Sequence, residues 1–201
     1  MKEKFLNYSI KEILKKNNPT EEELEEYRYN LEGFYLTISK LLIMIPLSII
    51  FNVFFEMILF IIIFNFIREP AHGLHASKSY ICLITSSITF IGIPYISKII
   101  ELNLYTRIII SVIGFLLILI YAPADTEKAP IIRKEKRHKL KIISIVNTLI
   151  LIIFTFIIKN NIITNLILSS IIIESILINP LTYKLFHVKY KNYIDYLKNM
   201  N

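Results

Sequence analysis

The chain has 201 residues, of which 54% are hydrophobic and 19% charged, with a formal net charge of +7. A soluble globular domain carries about 45–50% apolar and about 25% charged residues, so isoleucine-rich runs separated by charge clusters exclude a water-soluble core and indicate a polytopic membrane protein. A single cysteine excludes an intramolecular disulfide and a multi-cysteine metal site. The basic residues stand mostly beside apolar runs, where they read as topology determinants and lipid headgroup contacts, not as a nucleic-acid surface.

Residues 1–32 are polar and open on no apolar core, so no cleavable signal peptide is expected. Phe5, Tyr8, Ile10, Ile13 and Leu14 follow helical spacing with lysines between them. Asn18-Pro19-Thr20 breaks that helix, and Thr20 is the natural N-cap of a second, with Glu21 to Glu23 in its first turn and Leu24, Tyr27 and Leu31 on its apolar face. The pair reads as a cytoplasmic, interfacial segment covering residues 1–33.

From Phe34 to Ile67 only Lys40 and Glu56 are charged, and the stretch fits two spans of ~20 residues with a turn near Asn52 to Glu56. Residues 79–97 suit a third span, with Pro94 near its end. A fourth covers 108–121, a fifth 142–158 and a sixth 162–182, the last containing Glu174. An intramembrane carboxylate needs a partner, and Lys40 is the basic candidate from another span. The dense basic run from Arg133 to Lys141 and the basic tail from Lys184 fall inside by the positive-inside rule. Both termini, the 68–79 loop and the 122–141 loop are then cytoplasmic. The expected fold class is therefore all-α: six transmembrane helices (34–183) between the N-terminal amphipathic segment (1–33) and a basic cytoplasmic tail (184–201).

The chemistry concentrates in Arg68-Glu69-Pro70-Ala71-His72-Gly73-Leu74-His75-Ala76-Ser77-Lys78-Ser79-Tyr80-Ile81-Cys82, where two of the four histidines and the only cysteine meet at the edge of a span. A thiol attacks as thiolate, and a nearby imidazole can take its proton. Arg68 and Lys78 add positive potential. If residues 75–82 formed one α-helix, His75 and Cys82 would share a face but stand roughly 10 Å apart along the axis at 1.5 Å per residue. General-base contact needs about 3 Å, so the chain must turn between them or the pair must form between subunits. Pro70 and Gly73 favour such a turn. A metal site lacks a third ligand here beyond Glu69.

The pattern His72-Gly73-Leu74-His75-Ala76, then five residues, then Cys82, closely resembles the signature of the AgrB family of accessory gene regulator proteins. Tyr29-Asn30-Leu31-Glu32 and Tyr121-Ala122-Pro123-Ala124-Asp125-Thr126-Glu127-Lys128-Ala129-Pro130 extend the resemblance over nearly the whole chain. It implies a six-span cysteine endopeptidase of the bacterial cell membrane, with Cys82 as nucleophile, His75 as base and no cofactor or metal. It also implies an AgrD-like precursor peptide as substrate in peptide quorum sensing, cut before an acidic C-terminal part and released as a cyclic thiolactone or lactone, and a homodimer as the working unit. Within that reading Asp125 and Glu32 are candidates to orient His75, while Arg68, Arg133, Lys134, Lys136 and Arg137 are candidates to hold the acidic substrate. The rival readings are a small peptide exporter or permease and a metal-dependent membrane peptidase.

Overall fold

The computed structural model describes residues 2–16, 19–74, 79–126 and 130–194. Among them the regular structure is helical, apart from an isolated parallel bridge between His72 and Ala124. Helix α1 spans Lys2–Lys16 and α2 spans Glu21–Ile50. Thr20 is the N-cap, as expected, and the Thr20 amide donates to Glu23 Oε2 (2.8 Å) and the Glu23 amide to Thr20 Oγ1 (3.3 Å), a reciprocal capping box. Helix α1 folds back on α2 through Phe5 and Tyr35, whose rings are 5.5 Å apart, and through Lys2–Glu32 (2.7 Å) and Arg28–Glu3 (3.3 Å) ion pairs.

Helix α2 continues through Gly33 without interruption, so the boundary expected at residue 33 lies inside one rod. A single glycine costs a helix only about 1 kcal/mol, and Thr37 Oγ1 donates back to the Gly33 carbonyl at 2.8 Å.

Five further rods follow: α3 (Phe54–Ala71); α4 (Ser79–Ser87), which passes through a π-helical turn (Ile88–Gly92) into α5 (Ile93–Ile99); α6 (Leu104–Tyr121); α7 (Lys134–Ile157); and α8 (Asn161–Leu177). A short α9 (Pro180–Leu185) begins the tail. The fourth and fifth rods start earlier than their apolar runs, because Asn103 caps α6 and because the basic run after Arg133 is itself helical. The sixth ends early, at Leu177, with Asn179 capping α9.

Polar contacts sort the connections into two ends. At one end Lys98 pairs with Glu56 (2.9 Å) and donates to the Asn52 carbonyl, Arg107 Nη2 donates to Asn161 Oδ1 (2.6 Å), and Asn165 Nδ2 caps α5 through the Ser97 (3.2 Å) and Ile100 (2.6 Å) carbonyls. At the other end lie residues 72–74, 122–126 and 178–194. Helix α8 packs against α3, α5, α6 and α7 and is buried on most of its surface, the signature of a central helix. Its Leu166, Ile167 and Ile171 join Phe60, Ile67 and Ile118 in the main core. Gly114 of α6 lets α8 approach so closely that a Cβ there would strike Ile171.

Among the described residues four helices are long and apolar enough to cross a membrane: Leu31–Ile50, Tyr80–Ile99, Leu104–Tyr121 and Lys134–Ile157. Helix α3 carries Glu56, Arg68 and Glu69, and α8 is an apolar helix of 17 residues. Large apolar side chains such as Leu42, Ile50, Phe55, Ile62 and Ile109 lie exposed on the outer faces.

Candidate active site

The site grows from the end of α3. Pro70 lies inside that helix and cannot donate to the carbonyl four residues back, that of Phe66. Asn147 Nδ2 of α7 donates to that oxygen instead, at 2.6 Å. The helix then stops abruptly. His72 has φ 59° and ψ −133°, and Gly73 has φ 111°, conformations that L side chains rarely adopt.

Backbone bonds hold this turn from two sides. The Gly73 amide donates to the Ala124 carbonyl (2.7 Å), the Ala124 amide to the Ala71 carbonyl (2.9 Å), and the Leu74 amide to the Leu177 carbonyl (3.0 Å). Arg68 reaches forward from the preceding helical turn. Its Nη1 donates to the His72 carbonyl, and its Nη2 to those of Gly73 (3.2 Å) and Leu74 (2.7 Å). Nη1 also faces both carboxylate oxygens of Glu174, at 3.3 and 3.4 Å. The Glu174 side chain is fully buried, so this pair satisfies it where water cannot. The partner of Glu174 is thus Arg68 and not Lys40. Both terminal nitrogens of Arg68, expected at the substrate, are engaged by protein acceptors.

His75 and residues 76–78 lie outside the described residues. The chain returns at Ser79 as α4 and brings Cys82 near the N-terminal end of that rod, half-buried. Lys40 Nζ of α2 stands 3.0 Å from Cys82 Sγ, and Ser86 Oγ is 4.0 Å away on the next turn. Helical side chains tilt toward their own N-terminus, which turns the long Lys40 stem toward the end of the bundle where Cys82 lies. His72 is half-buried, and burial holds its imidazole below its ordinary range, opposed by the Pro70 carbonyl and reinforced by Arg68 and Lys136. Its Nδ1 has no hydrogen-bond partner among the described residues.

Across the 72–74 turn, residues 122–126 serve as its second wall. Both Asp125 oxygens accept backbone amides of the tail, from Asn192 (3.0 Å) and Tyr193 (2.8 Å), and Tyr183 Oη donates to the Asp125 carbonyl (3.1 Å). Asp125 therefore fastens the tail to the loop. A cleft of ≈ 290 Å³ runs beside it, lined by Lys134, Arg137, His138, Lys141, Tyr190 and Tyr193 among others. Arg137 lies over the Tyr193 ring at 3.4 Å, and burial pushes the Tyr190 phenol up to about 12. Arg133, Lys134 and Lys136 are exposed on the same part of α7. Glu32 is on α2, bonded to Lys2. Among the described residues no cluster of three or more His, Cys, Asp or Glu side chains could hold a metal ion.

Sequence reasoning missed the Lys40–Cys82 contact. The signal was the one cation inside the first apolar run, and it was matched to the wrong anion.

Fold and site together define a helical membrane protein with a lysine-backed thiol at the entry of one helix, and a turn pinned by a buried arginine at the end of the helix before it. The chain belongs to the AgrB family: the family model described as Accessory gene regulator B matches residues 3–178. A putative AgrB-like protein of Clostridium acetobutylicum is 35% identical over 174 residues, covering 87% of this chain and 83% of its own. Accessory gene regulator protein B of Staphylococcus epidermidis is 31% identical over 157 residues, 78% of each chain. That of Staphylococcus aureus strain Newman is 35% identical over 148 residues, 73% of this chain and 77% of its own. No solved structure matches the chain.

Proposed function

We propose that this protein is a six-span, multi-pass membrane cysteine endopeptidase with both termini cytoplasmic, which cleaves and cyclises an AgrD-like precursor peptide for quorum sensing. The observation that carries the reading is the thiol of Cys82 with an ammonium at 3.0 Å, at the start of a membrane-length helix. Family membership supports it, and so does the grouping of the 72–74, 122–126 and tail segments at one end of the bundle.

In this reading the Cys82 thiolate attacks the scissile carbonyl carbon. A C–S bond forms, the C–N bond breaks, and the leaving amine takes its proton from the imidazolium of His75. The acyl group is then held as a thioester on Cys82. A thiol or hydroxyl within the same peptide gives its proton to His75 and attacks that carbonyl, releasing the ring and regenerating the thiolate. Thioester exchange keeps the acyl group activated, whereas water would waste it, so a site at the edge of apolar helices suits the chemistry. Arg68 fixes the carbonyls that precede His75. Arg133, Lys134, Lys136 and Arg137 attract the acidic end of the precursor, and the working unit is a homodimer.

The test is cleavage of the precursor by the full-length protein in lipid vesicles, read by mass spectrometry with and without chelator. Loss of cleavage in both Cys82→Ala and His75→Ala, with no effect of chelator, is expected. Cleavage by Cys82→Ala would remove the nucleophile assignment, and chelator sensitivity would favour the metal-dependent alternative.

A further inference from the structure

A lysine inside an apolar helix is costly unless something compensates its charge. Lys40 lies within the membrane-length stretch Leu31–Ile50, half-buried, and Cys82 Sγ is its hydrogen-bond partner at 3.0 Å. The carboxylates on the elements packed against α2 are engaged elsewhere or remote. Glu3 meets Arg28, Glu12 meets Lys15, Glu32 meets Lys2, and Glu56 meets Lys98. Glu69 is exposed at the end of α3. On α4 and α5 the charged side chain is Lys98, and it pairs with Glu56. Among the described residues no carboxylate lies within ion-pair reach of Lys40. The anion that the geometry offers it is the thiolate.

We propose that Lys40 is the cation that holds Cys82 as its thiolate, so that thiolate formation does not depend on contact with a protonated histidine. The inference rests on the cysteine-peptidase reading and divides the labour within it. Lys40 stabilises the nucleophile through a direct contact with the reacting sulfur, and His75 moves the protons. This also relieves the spacing problem in the sequence, because a histidine that only exchanges protons with the peptide need not touch Cys82 in the resting state. The ammonium donates to sulfur in the attacking form and has three donors, so it follows the sulfur as the thioester forms and breaks.

The test is alkylation of Cys82 by iodoacetamide in the full-length protein in lipid vesicles, followed by mass spectrometry, alongside precursor cleavage. At pH 7, Lys40→Met should be alkylated at least about tenfold more slowly than wild type, since the variant lacks the cation that stands against the sulfur and the thiolate is the reacting form. Lys40→Arg should keep most of the wild-type rate. At about pH 10, where an ordinary thiol ionises unaided, Lys40→Met and wild type should react alike. Equal rates at pH 7 would overturn the proposal. So would a rate deficit of the same size at both pH values, which would make Lys40 a packing residue. Cleavage that requires Cys82 but survives in Lys40→Met would overturn the inference and leave the peptidase reading intact. Cleavage that survives in Cys82→Ala would sink the peptidase reading, and Lys40's role in catalysis with it.

Discussion

Gly73 is the residue whose identity the backbone dictates most narrowly. Its φ of 111° disfavours any side chain, and a Cβ would stand 3.1 Å from both the Leu177 carbonyl oxygen and Ile178 Cγ2, as well as against Arg68 Nη1. Gly73→Ala should therefore lower the thermal stability of the purified protein by about 1–3 kcal/mol and displace the segment leading to His75. Unchanged melting and unchanged cleavage would contradict that account. The imidazole of His72 offers a pH readout at the same scale. Its proton affinity is depressed in the fold, so the unfolded chain binds the proton more readily. The stability it contributes is present above the unfolded value of about 6.5 and declines as the pH falls below it. His72→Asn, which tolerates positive φ better than most residues, should flatten the loss of melting temperature between about pH 7 and pH 5. An identical acid profile in the variant would assign that sensitivity to another group.

At the scale of elements, the end of α3 depends on α7. Asn147 satisfies the Phe66 carbonyl that Pro70 leaves without a donor, so Asn147→Ala should cost about 1–3 kcal/mol, the penalty for an orphaned polar group. Adding Pro70→Ala restores a helical donor, and the double variant should recover part of the loss. Additive losses in thermal unfolding would show that the two residues act separately. No sequence pattern reveals this bond, because its partners lie 81 residues apart. The Thr20 N-cap, by contrast, is local and was legible. So were the connections near Asn52, Lys98 and Asn160, where apolar runs are interrupted by polar residues. At Gly33 polarity changes while the helix runs on, so the pattern shows where the apolar stretch opens and not how the backbone passes through it. The same limit governs the site. The motif points to Cys82, but helix rotation decides whether Lys40 faces Glu174 or the thiol, and one lysine in an apolar run carries no periodicity to fix it. Asp125 looked like a partner for histidine because a carboxylate near the motif suits that role. His75 lies outside the described residues, and the Asp125 oxygens also accept two tail amides, a bond that spacing alone does not disclose.

At the scale of the whole molecule, α8 is the organising helix. It carries Glu174 to Arg68, offers the Leu177 carbonyl to Leu74, and closes the bundle's other end through Asn165. Arg68→Leu alone should leave a buried carboxylate and three backbone carbonyls without donors, costing about 3–5 kcal/mol or preventing folding. Replacing both members, as in Arg68→Leu with Glu174→Leu, should be less destabilising than Arg68→Leu alone. The reverse order would contradict the pairing. In the proposed reaction this frame presents a nucleophile that carries the cleaved peptide as a thioester until the peptide's own side chain takes it. The most direct measurement is the intact mass of the protein after incubation in vesicles with a precursor whose internal cysteine or serine is replaced by alanine, so that the ring cannot close. The account predicts that Cys82 gains the mass of the N-terminal fragment in a hydroxylamine-labile bond, and that Cys82→Ala gains none. Cleaved fragment released free from the start, with the protein's mass unchanged at every time point, would contradict it.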